Sequence, residues 1–311
     1  MKYRRLGQSD LHVSVIGIGT WQLGGEWGQT YSAEEVKAIL EQASQCGINL
    51  LDTAECYGDH LSEELLGRAM AGQRDQWIVA TKFGHHFNKP FDRDLRFDPS
   101  QVQQQLEASL RALQTEYIDL YQFHSGDDDI FETEGLWEML ERQKEAGKIR
   151  HLGVSISSKL EGTFQVDQAT ALGVGAIQLV HNRLNPQPEE VFASCTKQDL
   201  GVLARVPLAC GFLSGKYPQG TRFADDDVRQ VWLTEELRNE QLAQVQTLHN
   251  EVPTDASMAQ WALAWCLQHP AVTCVIPGCR DAKQVLSNAG AADLDMVATD
   301  HPQAVPSGKP S

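Results

Sequence analysis

The amino-acid sequence predicts a single (β/α)8 barrel with an N-terminal β-hairpin, and with extra helices and long loops in the C-terminal half. Short runs with strand character alternate with helical stretches, which is typical of a parallel sheet with right-handed crossovers. Eight such strand–helix units follow the hairpin, and eight units predict closure into a barrel. The length of 311 residues lies within the range that such barrels reach as one domain.

The elements of the N-terminal half are predicted from apolar periodicity and from residues that start or end helices. Apolar side chains recur at helical spacing from Val36 to Ala43, and Gly47 ends that helix. Ser62 is predicted as the N-cap of the next helix, and Pro99 as the start of the third. The predicted order is a hairpin turn 7–10, strand 11–18, helix 33–46, strand 48–51, helix 62–70, strand 77–81, helix 99–113, strand 118–123, helix 130–146 and strand 149–154.

The C-terminal half continues the alternation and adds a long polar connection, 214–231, with two helices after it. The predicted order is helix 160–172, strand 176–180, helix 188–198, strand 202–206, the connection, helices 233–250 and 257–268, strand 272–276 and helix 281–289. The end of the chain is polar, contains three prolines and shows no periodicity. We therefore expect one domain over 1–292 and a polar tail over 293–311.

An open doubly wound sheet is the alternative fold for alternating strands and helices. It commonly carries a G-x-G-x-x-G turn after its first strand, with an acidic residue about 20 residues later. Gly17-Ile18-Gly19-Thr20-Trp21 begins like that turn but lacks its third glycine and the acidic residue. The sequence therefore favours the barrel.

Composition and charge exclude several classes of protein. The chain has 42 Asp and Glu against 26 Lys and Arg, a formal net charge of −16, whereas nucleic-acid binding requires a basic surface. The seven cysteines are odd in number and form no C-x-x-C motif, which favours reduced thiols. No secretory h-region and no apolar run of about 18 residues occurs. We expect a cytoplasmic protein with no nucleic-acid or membrane partner; its oligomeric state is not predicted.

Four polar residues are placed where a barrel carries its chemistry. Asp52, Lys82 and His124 each follow a different predicted strand, and Tyr57 lies in the loop after the first of them. Strand ends meet at one mouth of a barrel, so these side chains can converge. An ammonium beside a phenol favours phenolate, a carboxylate holds the ammonium in place, and an imidazole can donate to a carbonyl oxygen. The set predicts proton delivery to a polarised carbonyl group.

The same residues carry a resemblance to the aldo-keto reductase family over about residues 3–292. The stretches 49–58 and 62–67 resemble the family's N-terminal signature, and 81–82 and 122–124 resemble its later catalytic positions. Residues 276–278, followed by Gln284 and Asn288, resemble its C-terminal cofactor segment. The resemblance implies a barrel that binds NADP(H). It also implies a tetrad in which Tyr57 is the general acid and base, Lys82 lowers its pKa, Asp52 pairs with Lys82, and His124 orients the carbonyl.

The resemblance also implies cofactor contacts along the barrel mouth. Ser155 and Gln178 match the pair that hydrogen-bonds the carboxamide, although Ile156 stands where the family often has Asn. Arg205 stands where many relatives carry an aromatic residue. Two roles for its guanidinium are left open: it either stacks on the nicotinamide or points at the substrate. The last helix starts at Gly278-Cys279-Arg280, where a helix N-terminus and a guanidinium suit a 2′-phosphate and favour NADPH. The implied cofactor residues are Thr20, Trp21, Asp52, Ser155, Gln178, Arg205, Pro207, Leu208, Ala209, Cys210, Gly211, Lys216, Arg222, Gly278, Cys279, Arg280, Gln284 and Asn288.

The predicted function is NADPH-dependent reduction of an aldehyde or ketone to the alcohol. One alternative is a non-catalytic, NADP-binding regulatory or redox-sensing subunit, because 207–211 and 214–217 are also similar to the potassium-channel β subunits. A second is a barrel lyase that uses Lys82 as a Schiff-base nucleophile. No metal is predicted, because His85 and His86 are adjacent, point to opposite sides of a strand, and lack partners at ligand spacing. The carbonyl substrate cannot be read from the sequence.

Overall fold

The computed structural model of the protein describes residues 1–158 and 162–306. Within these ranges the strands are β1 (Tyr3–Arg5), β2 (His12–Ser14), β3 (Ile18–Gly19), β4 (Leu50–Asp52), β5 (Ile78–Phe83), β6 (His85–Lys89), β7 (Asp92–Leu95), β8 (Ile118–His124), β9 (Ile149–Ser155), β10 (Val174–Val180), β11 (Gly201–Arg205) and β12 (Cys274–Val275). The helices are α1 (Ala33–Gln45), α2 (Leu61–Ala69), α3 (Pro99–Ala112), α4 (Asp128–Phe131), α5 (Leu136–Glu145), α6 (Phe164–Gln168), α7 (Glu189–Lys197), α8 (Val228–Trp232), α9 (Glu235–Thr247), α10 (Met258–Gln268) and α11 (Ala282–Ala289).

Eight strands form one parallel sheet in the order β3, β4, β5, β8, β9, β10, β11, β12. The first and last strands are joined because the amide of Gly17 donates to the carbonyl of Val275 at 2.8 Å, and the amide of Gly19 to that of Pro277 at 3.0 Å. Gly19 permits this approach, since a Cβ there would lie 2.7 Å from the carbonyl oxygen of Ile276. The sheet is closed and surrounded by helices, which confirms the predicted (β/α)8 barrel.

The N-terminal end of the barrel is closed by the β1–β2 hairpin. Leu6, Leu11 and Val13 are buried in one cluster with the side chains that line the barrel interior. The C-terminal segment crosses the same end: the amide of Arg5 donates to the carbonyl of Gln303 at 2.7 Å, and Gln303 donates to Asp199 at 3.1 Å. Because this end is covered, the polar residues at the C-terminal ends of the strands lie at the opposite, open end of the barrel.

Several predicted elements differ in detail from the structure. The predicted helix 130–146 is two helices, α4 and α5, because Gly135 has a left-handed φ of 75° before α5. Helix α8 begins within the predicted polar connection 214–231 and ends one residue beyond it, and the β6–β7 hairpin was not predicted. Residues 159–161, at the start of the predicted helix 160–172, lie outside the described residues, and α6 begins at Phe164.

Ser62 is not the N-cap of α2, so that prediction is wrong. His60 occupies the cap position with a φ of 67°, and no side chain caps the helix. The Ser62 hydroxyl instead belongs to a buried chain: Thr53 donates to Ser62 at 2.9 Å, Ser62 to Thr20 Oγ1 at 2.9 Å, and Thr20 to the carbonyl of Asp52 at 2.9 Å. This chain ties together the segments that follow β3 and β4. In the described ranges no helix has both the length and the apolar composition needed to cross a bilayer.

Candidate active site

A buried ion pair lies at the centre of the C-terminal barrel mouth. The Lys82 ammonium, on β5, donates to Asp52 Oδ2 at 2.8 Å and to the carbonyl of Thr53 at 2.6 Å. Lys82 is fully buried and Asp52 is 3 % exposed. Burial lowers the pKa of Lys82, but the charges of Asp52 and Tyr57 raise it by more, so its pKa is raised and the amine stays protonated. The structure thus pairs these two residues as the resemblance implies.

Tyr57 reaches this pair because its loop folds back over the mouth. Gly58 has a φ of 71°, and a Cβ there would lie 2.6 Å from the carbonyl oxygen of Gly24. Close backbone contact between the two loops therefore requires glycine. The Tyr57 hydroxyl lies 3.5 Å from the Lys82 ammonium. The predicted convergence of phenol, ammonium and carboxylate is present in the fold.

The protonation states of Tyr57 and His124 are set mainly by burial. Burial raises the pKa of Tyr57 to about 12, and the opposing effect of the Lys82 ammonium is smaller. The resemblance implied a Tyr57 pKa lowered by Lys82; in this structure the net shift is upward. Burial, followed by the charges of His85 and Lys82, holds the pKa of His124 well below its usual range. The phenol is therefore protonated and the imidazole neutral around pH 7.

Two glutamine amides complete the surroundings of Asp52. Its Oδ1 accepts from Gln178 at 2.7 Å and from Gln122 at 3.2 Å. Gln178 also donates to Gln122 Oε1 at 3.1 Å, and its own Oε1 accepts from the Ser155 hydroxyl at 3.3 Å. Both amide hydrogens of Gln178 are thus used within the protein. Toward a ligand, the predicted pair Ser155 and Gln178 can only accept hydrogen bonds.

His124 stands at the edge of this group, near three residues outside the predicted catalytic and cofactor-binding set: Glu55, Cys56 and His85. Its ring lies edge-on to that of Tyr57, with 6.3 Å between ring centroids. Its Nδ1 lies 3.9 Å from Cys56 Sγ. His85 Nε2 donates to the His124 carbonyl at 2.7 Å, and the His85 amide donates to Glu55 Oε1 at 2.9 Å. Glu55 is 3 % exposed, and burial raises its pKa to about 8.

Glu55, Cys56 and His124 each place one potential ligand atom within 4.8 Å of the others. Sequence spacing gives no sign of this cluster, because His124 comes from another strand. The positive charges of Lys82 and Arg93 help to lower the pKa of His124, and the same field disfavours a divalent cation. The absence of a metal therefore stays the prediction.

Three indole rings form one wall of the mouth. Trp21 stacks on Tyr57 at 6.0 Å and contacts the rings of Trp27 and Trp232, each at 5.3 Å. The Trp21 Nε1–H donates to Glu26 at 2.7 Å, and Glu26 also pairs with Arg93. These contacts fix Trp21, whereas Trp232 is 53 % exposed. Trp232 falls between the predicted connection 214–231 and the predicted helix 233–250, and nothing local in the sequence places it beside Trp21.

The segment after β11 has an unusual backbone at the predicted pyrophosphate contact. Val206, Ala209 and Cys210 have positive φ values of 54°, 47° and 56°, followed by Gly211 at 91°. Positive φ in residues with a side chain is costly, and such strain clusters at functional sites. Arg205 precedes this turn; its guanidinium donates to the Ile156 carbonyl at 3.0 Å, and its buried Nε has no partner among the described residues.

The remaining predicted cofactor residues occupy different environments. Lys216 and Arg222 are exposed, and Arg222 lies 3.6 Å from Glu235. The Asn288 amide is buried and donates to Cys279 Sγ at 3.3 Å, so that Cys279, 1 % exposed, offers only its backbone to a ligand. Gln284 Oε1 accepts from the Arg280 amide at 3.0 Å. The Arg280 guanidinium forms no ion pair or side-chain hydrogen bond within 1–158 and 162–306.

Arg229 is a buried cation near this loop that sequence reasoning missed. It is 4 % exposed, pairs with Asp227 at 2.5 Å, donates to Tyr217 at 3.1 Å and lies 3.8 Å from the Phe223 ring centroid. The amide of Val228 donates to the Glu26 carbonyl at 2.9 Å. These contacts anchor α8, and with it Trp232, over the mouth. Asp227 and Arg229 are two residues apart in the sequence, but an Asp-x-Arg spacing is too common to identify such an anchor.

Comparison with known proteins agrees with this geometry. A family model described as the aldo/keto reductase family matches residues 15–304. An uncharacterized oxidoreductase of Bacillus subtilis (strain 168), YqkF, is 33 % identical over 298 residues, covering 94 % of this chain and 92 % of that protein. The aldo-keto reductase YhdN of the same organism is 32 % identical over 302 residues, covering 92 % of this chain and 87 % of its own.

Solved structures give the same result. The aldo-keto reductase AKR11C1 from Bacillus halodurans, in its holo form, aligns with a TM-score of 0.80 at 30 % identity, covering 97 % of this chain and 94 % of its own. The glycerol dehydrogenase AKR11B4 from Gluconobacter oxydans aligns with a TM-score of 0.80 at 29 % identity, covering 93 % and 90 %. The family match, the oxidoreductase relatives and the barrel agree over nearly the whole chain, which belongs to the aldo/keto reductase family.

Proposed function

We propose that the protein reduces an aldehyde or ketone to the alcohol with NADPH, and that Tyr57 supplies the proton. The observation that carries the proposal is the buried Asp52–Lys82 pair with the Tyr57 hydroxyl 3.5 Å from the ammonium. Asp52, Tyr57, Lys82 and His124 are the proposed catalytic residues. The similarity to a glycerol dehydrogenase supports chemistry on an alcohol–carbonyl pair.

Several hydrogen-bonding groups of the site have donor or acceptor capacity that the described residues do not use, and this capacity fits a nicotinamide dinucleotide. Ser155 and Gln178 keep only acceptor capacity, which suits the NH₂ of a carboxamide. Within the described residues the Arg205 Nε–H has no hydrogen-bond partner and the Arg280 guanidinium has no ion pair, and both are donors suited to anionic or carbonyl groups. These residues, with the turn 207–211, would hold the cofactor, and the cofactor would supply the hydride. The side chains around the substrate carbonyl would then control the proton.

The four catalytic side chains divide the remaining work. His124 is neutral and donates to the carbonyl oxygen, which polarises the C=O bond. Tyr57 has a pKa of about 12 and is therefore a full proton donor at physiological pH; an alkoxide is a much stronger base and takes that proton. Lys82 stabilises the phenolate left behind, and Asp52 holds Lys82 charged and oriented.

The decisive experiment follows NADPH absorbance with a panel of aldehydes, ketones and sugars. Loss of absorbance that depends on both enzyme and carbonyl compound supports the proposal. The non-catalytic subunit is the second candidate. Tight NADPH binding with no turnover on the whole panel would favour it. Covalent trapping of a carbonyl compound on Lys82 by borohydride would instead indicate Schiff-base chemistry, which the protonated state of Lys82 opposes.

We expect Arg280→Ala to weaken NADPH binding about 10- to 100-fold while NADH binding changes little. A guanidinium hydrogen bond to phosphate contributes about 1.5–3 kcal/mol, and only NADPH carries the 2′-phosphate. Dissociation constants from quenching of tryptophan fluorescence check this. Lys283→Ala is the matched control, because it removes a positive charge from an exposed position three residues further along the chain, inside α11. Equal weakening of both cofactors by Arg280→Ala would contradict the assignment.

We expect Trp232→Ala to lower kcat/KM for aryl aldehydes roughly threefold to tenfold, and to change that for short aliphatic aldehydes much less. Trp232 presents an exposed ring beside Trp21, and a stacked aromatic pair contributes about 0.5–1.5 kcal/mol. Val231→Ala is the control, since Val231 is 46 % exposed on the same short helix. An identical loss for both aldehyde classes would show that Trp232 supports the loop rather than the substrate.

A further inference from the structure

We propose that Cys56 is a positioning residue that sets the tautomer of His124: its thiol donates to Nδ1, so that the single imidazole proton resides on Nε2 and faces the substrate carbonyl. This inference rests on the proposed function, in which His124 is the hydrogen-bond donor to the carbonyl oxygen. Cys56 lies inside the stretch 49–58 that resembles the family's N-terminal signature, and it is not one of the four predicted catalytic residues.

The distance between the Cys56 thiol and the His124 ring supports a hydrogen bond. Cys56 Sγ lies 3.9 Å from His124 Nδ1, within the range of a hydrogen bond to or from sulfur. Cys56 is 2 % exposed, so water does not compete for its proton. It directly precedes Tyr57, and the loop contact that brings Tyr57 to Lys82 therefore also brings the thiol to the imidazole.

The direction of this hydrogen bond follows from what each group can offer. Burial and the neighbouring Glu55 charge raise the pKa of Cys56, so the sulfur carries its proton. His124 is neutral and has one bare nitrogen and one N–H. An imidazole nitrogen is a far better acceptor than a thiol sulfur, and among the described residues it is the only acceptor recorded for the Cys56 proton. The arrangement that satisfies both groups is S–H donating to Nδ1.

A second contact fixes the strand end that carries this ring. His85 Nε2 must carry a proton, because it donates to the His124 carbonyl at 2.7 Å. The two imidazole rings lie 4.5 Å apart between centroids. With Nδ1 turned toward Cys56, Nε2 is the ring nitrogen of His124 that is left to bind the substrate carbonyl. A neutral imidazole can donate to a carbonyl only from its protonated nitrogen, so the tautomer decides whether His124 functions.

The test uses three variants of the full-length protein. We expect Cys56→Ala to lower kcat roughly tenfold, with NADPH affinity unchanged, because part of His124 shifts its proton to Nδ1. Cys56→Ser keeps an O–H donor at the same place and is expected to recover most of that loss. Cys266→Ala is the matched control: Cys266 is a buried cysteine whose thiol also donates a hydrogen bond, to the His181 carbonyl at 3.3 Å, and neither residue belongs to the proposed catalytic or cofactor-binding set. It is expected to keep wild-type kcat.

Nitrogen NMR of isotope-labelled histidine provides a readout that does not need turnover. We expect His124, assigned by comparison with His124→Gln, to be protonated on Nε2 in the wild type and in Cys56→Ser. We expect Cys56→Ala to show a mixture of tautomers. The proposal is overturned if Cys56→Ala keeps the pure Nε2–H signal, or if Cys56→Ala and Cys56→Ser lose kcat equally. Absence of carbonyl reduction in the wild type would contradict the proposed function. The NMR measurement would still test the tautomer of His124, because it does not depend on turnover.

Discussion

Replacing Tyr57 with phenylalanine is expected to lower kcat for carbonyl reduction about 10²- to 10⁴-fold and to leave NADPH affinity unchanged. The magnitude is that of a general acid removed from its position. The cofactor affinity is preserved because the phenyl ring keeps the stacking contact with Trp21, at 6.0 Å in the wild type. Only the hydroxyl, 3.5 Å from the Lys82 ammonium, is lost.

Steady-state kinetics at saturating NADPH, together with fluorescence titration of the cofactor, measure both quantities. Tyr121→Phe is a suitable control, because Tyr121 is a fully buried tyrosine whose hydroxyl has no partner within the described residues. It removes the same atom from outside the site and is expected to keep kcat. A Tyr57→Phe enzyme with near-normal kcat would remove Tyr57 from the mechanism.

The barrel and the four central residues were predictable because each depends on a local pattern. Strand ends of a parallel barrel meet at one mouth whatever the connecting loops do, so Asp52, Lys82 and His124 could be placed together from their positions after strands. The predicted helices 257–268 and 281–289 begin at the residues that serve as N-caps in the structure, Ser257 and Asp281, and these caps likewise depend only on neighbouring residues. Agreement is therefore best where a prediction needs no long-range contact.

The differences arise where distant contacts decide. Serine is a favoured residue at helix N-caps, but the Ser62 hydroxyl donates to Thr20 Oγ1 and so takes part in the contact between the loops instead of capping α2. The net pKa of Tyr57 depends on how completely the loops bury it, which cannot be read from the identity of Lys82. Trp232 and Cys56 become relevant only through partners on other elements, Trp21 and His124. Local sequence patterns thus predict the class of reaction, whereas contacts between loops determine the pKa of Tyr57 and the surroundings of the site.

Replacing Lys82 with methionine is expected to damage both stability and catalysis. Methionine fills a similar volume, but it leaves the Asp52 carboxylate buried, 3 % exposed, with the amides of Gln178 and Gln122 as its remaining side-chain donors among the described residues. Removing one partner of a buried ion pair costs about 3–5 kcal/mol. Urea unfolding should therefore show a clearly lower midpoint, and kcat should fall at least as far as in Tyr57→Phe, because the phenolate loses its stabilising charge.

The double variant Asp52→Asn with Lys82→Met separates these two effects. Asparagine removes the unpaired buried charge while keeping an amide that can bond to Gln178 and Gln122, so much of the lost unfolding free energy should return. Turnover should not return, because no ammonium stands beside Tyr57. Recovery of stability without activity would show that the Asp52–Lys82 pair is kept for chemistry. Recovery of both would mean that Lys82 acts only by holding the fold, and the proton-transfer role assigned to the Tyr57–Lys82 contact would have to be abandoned.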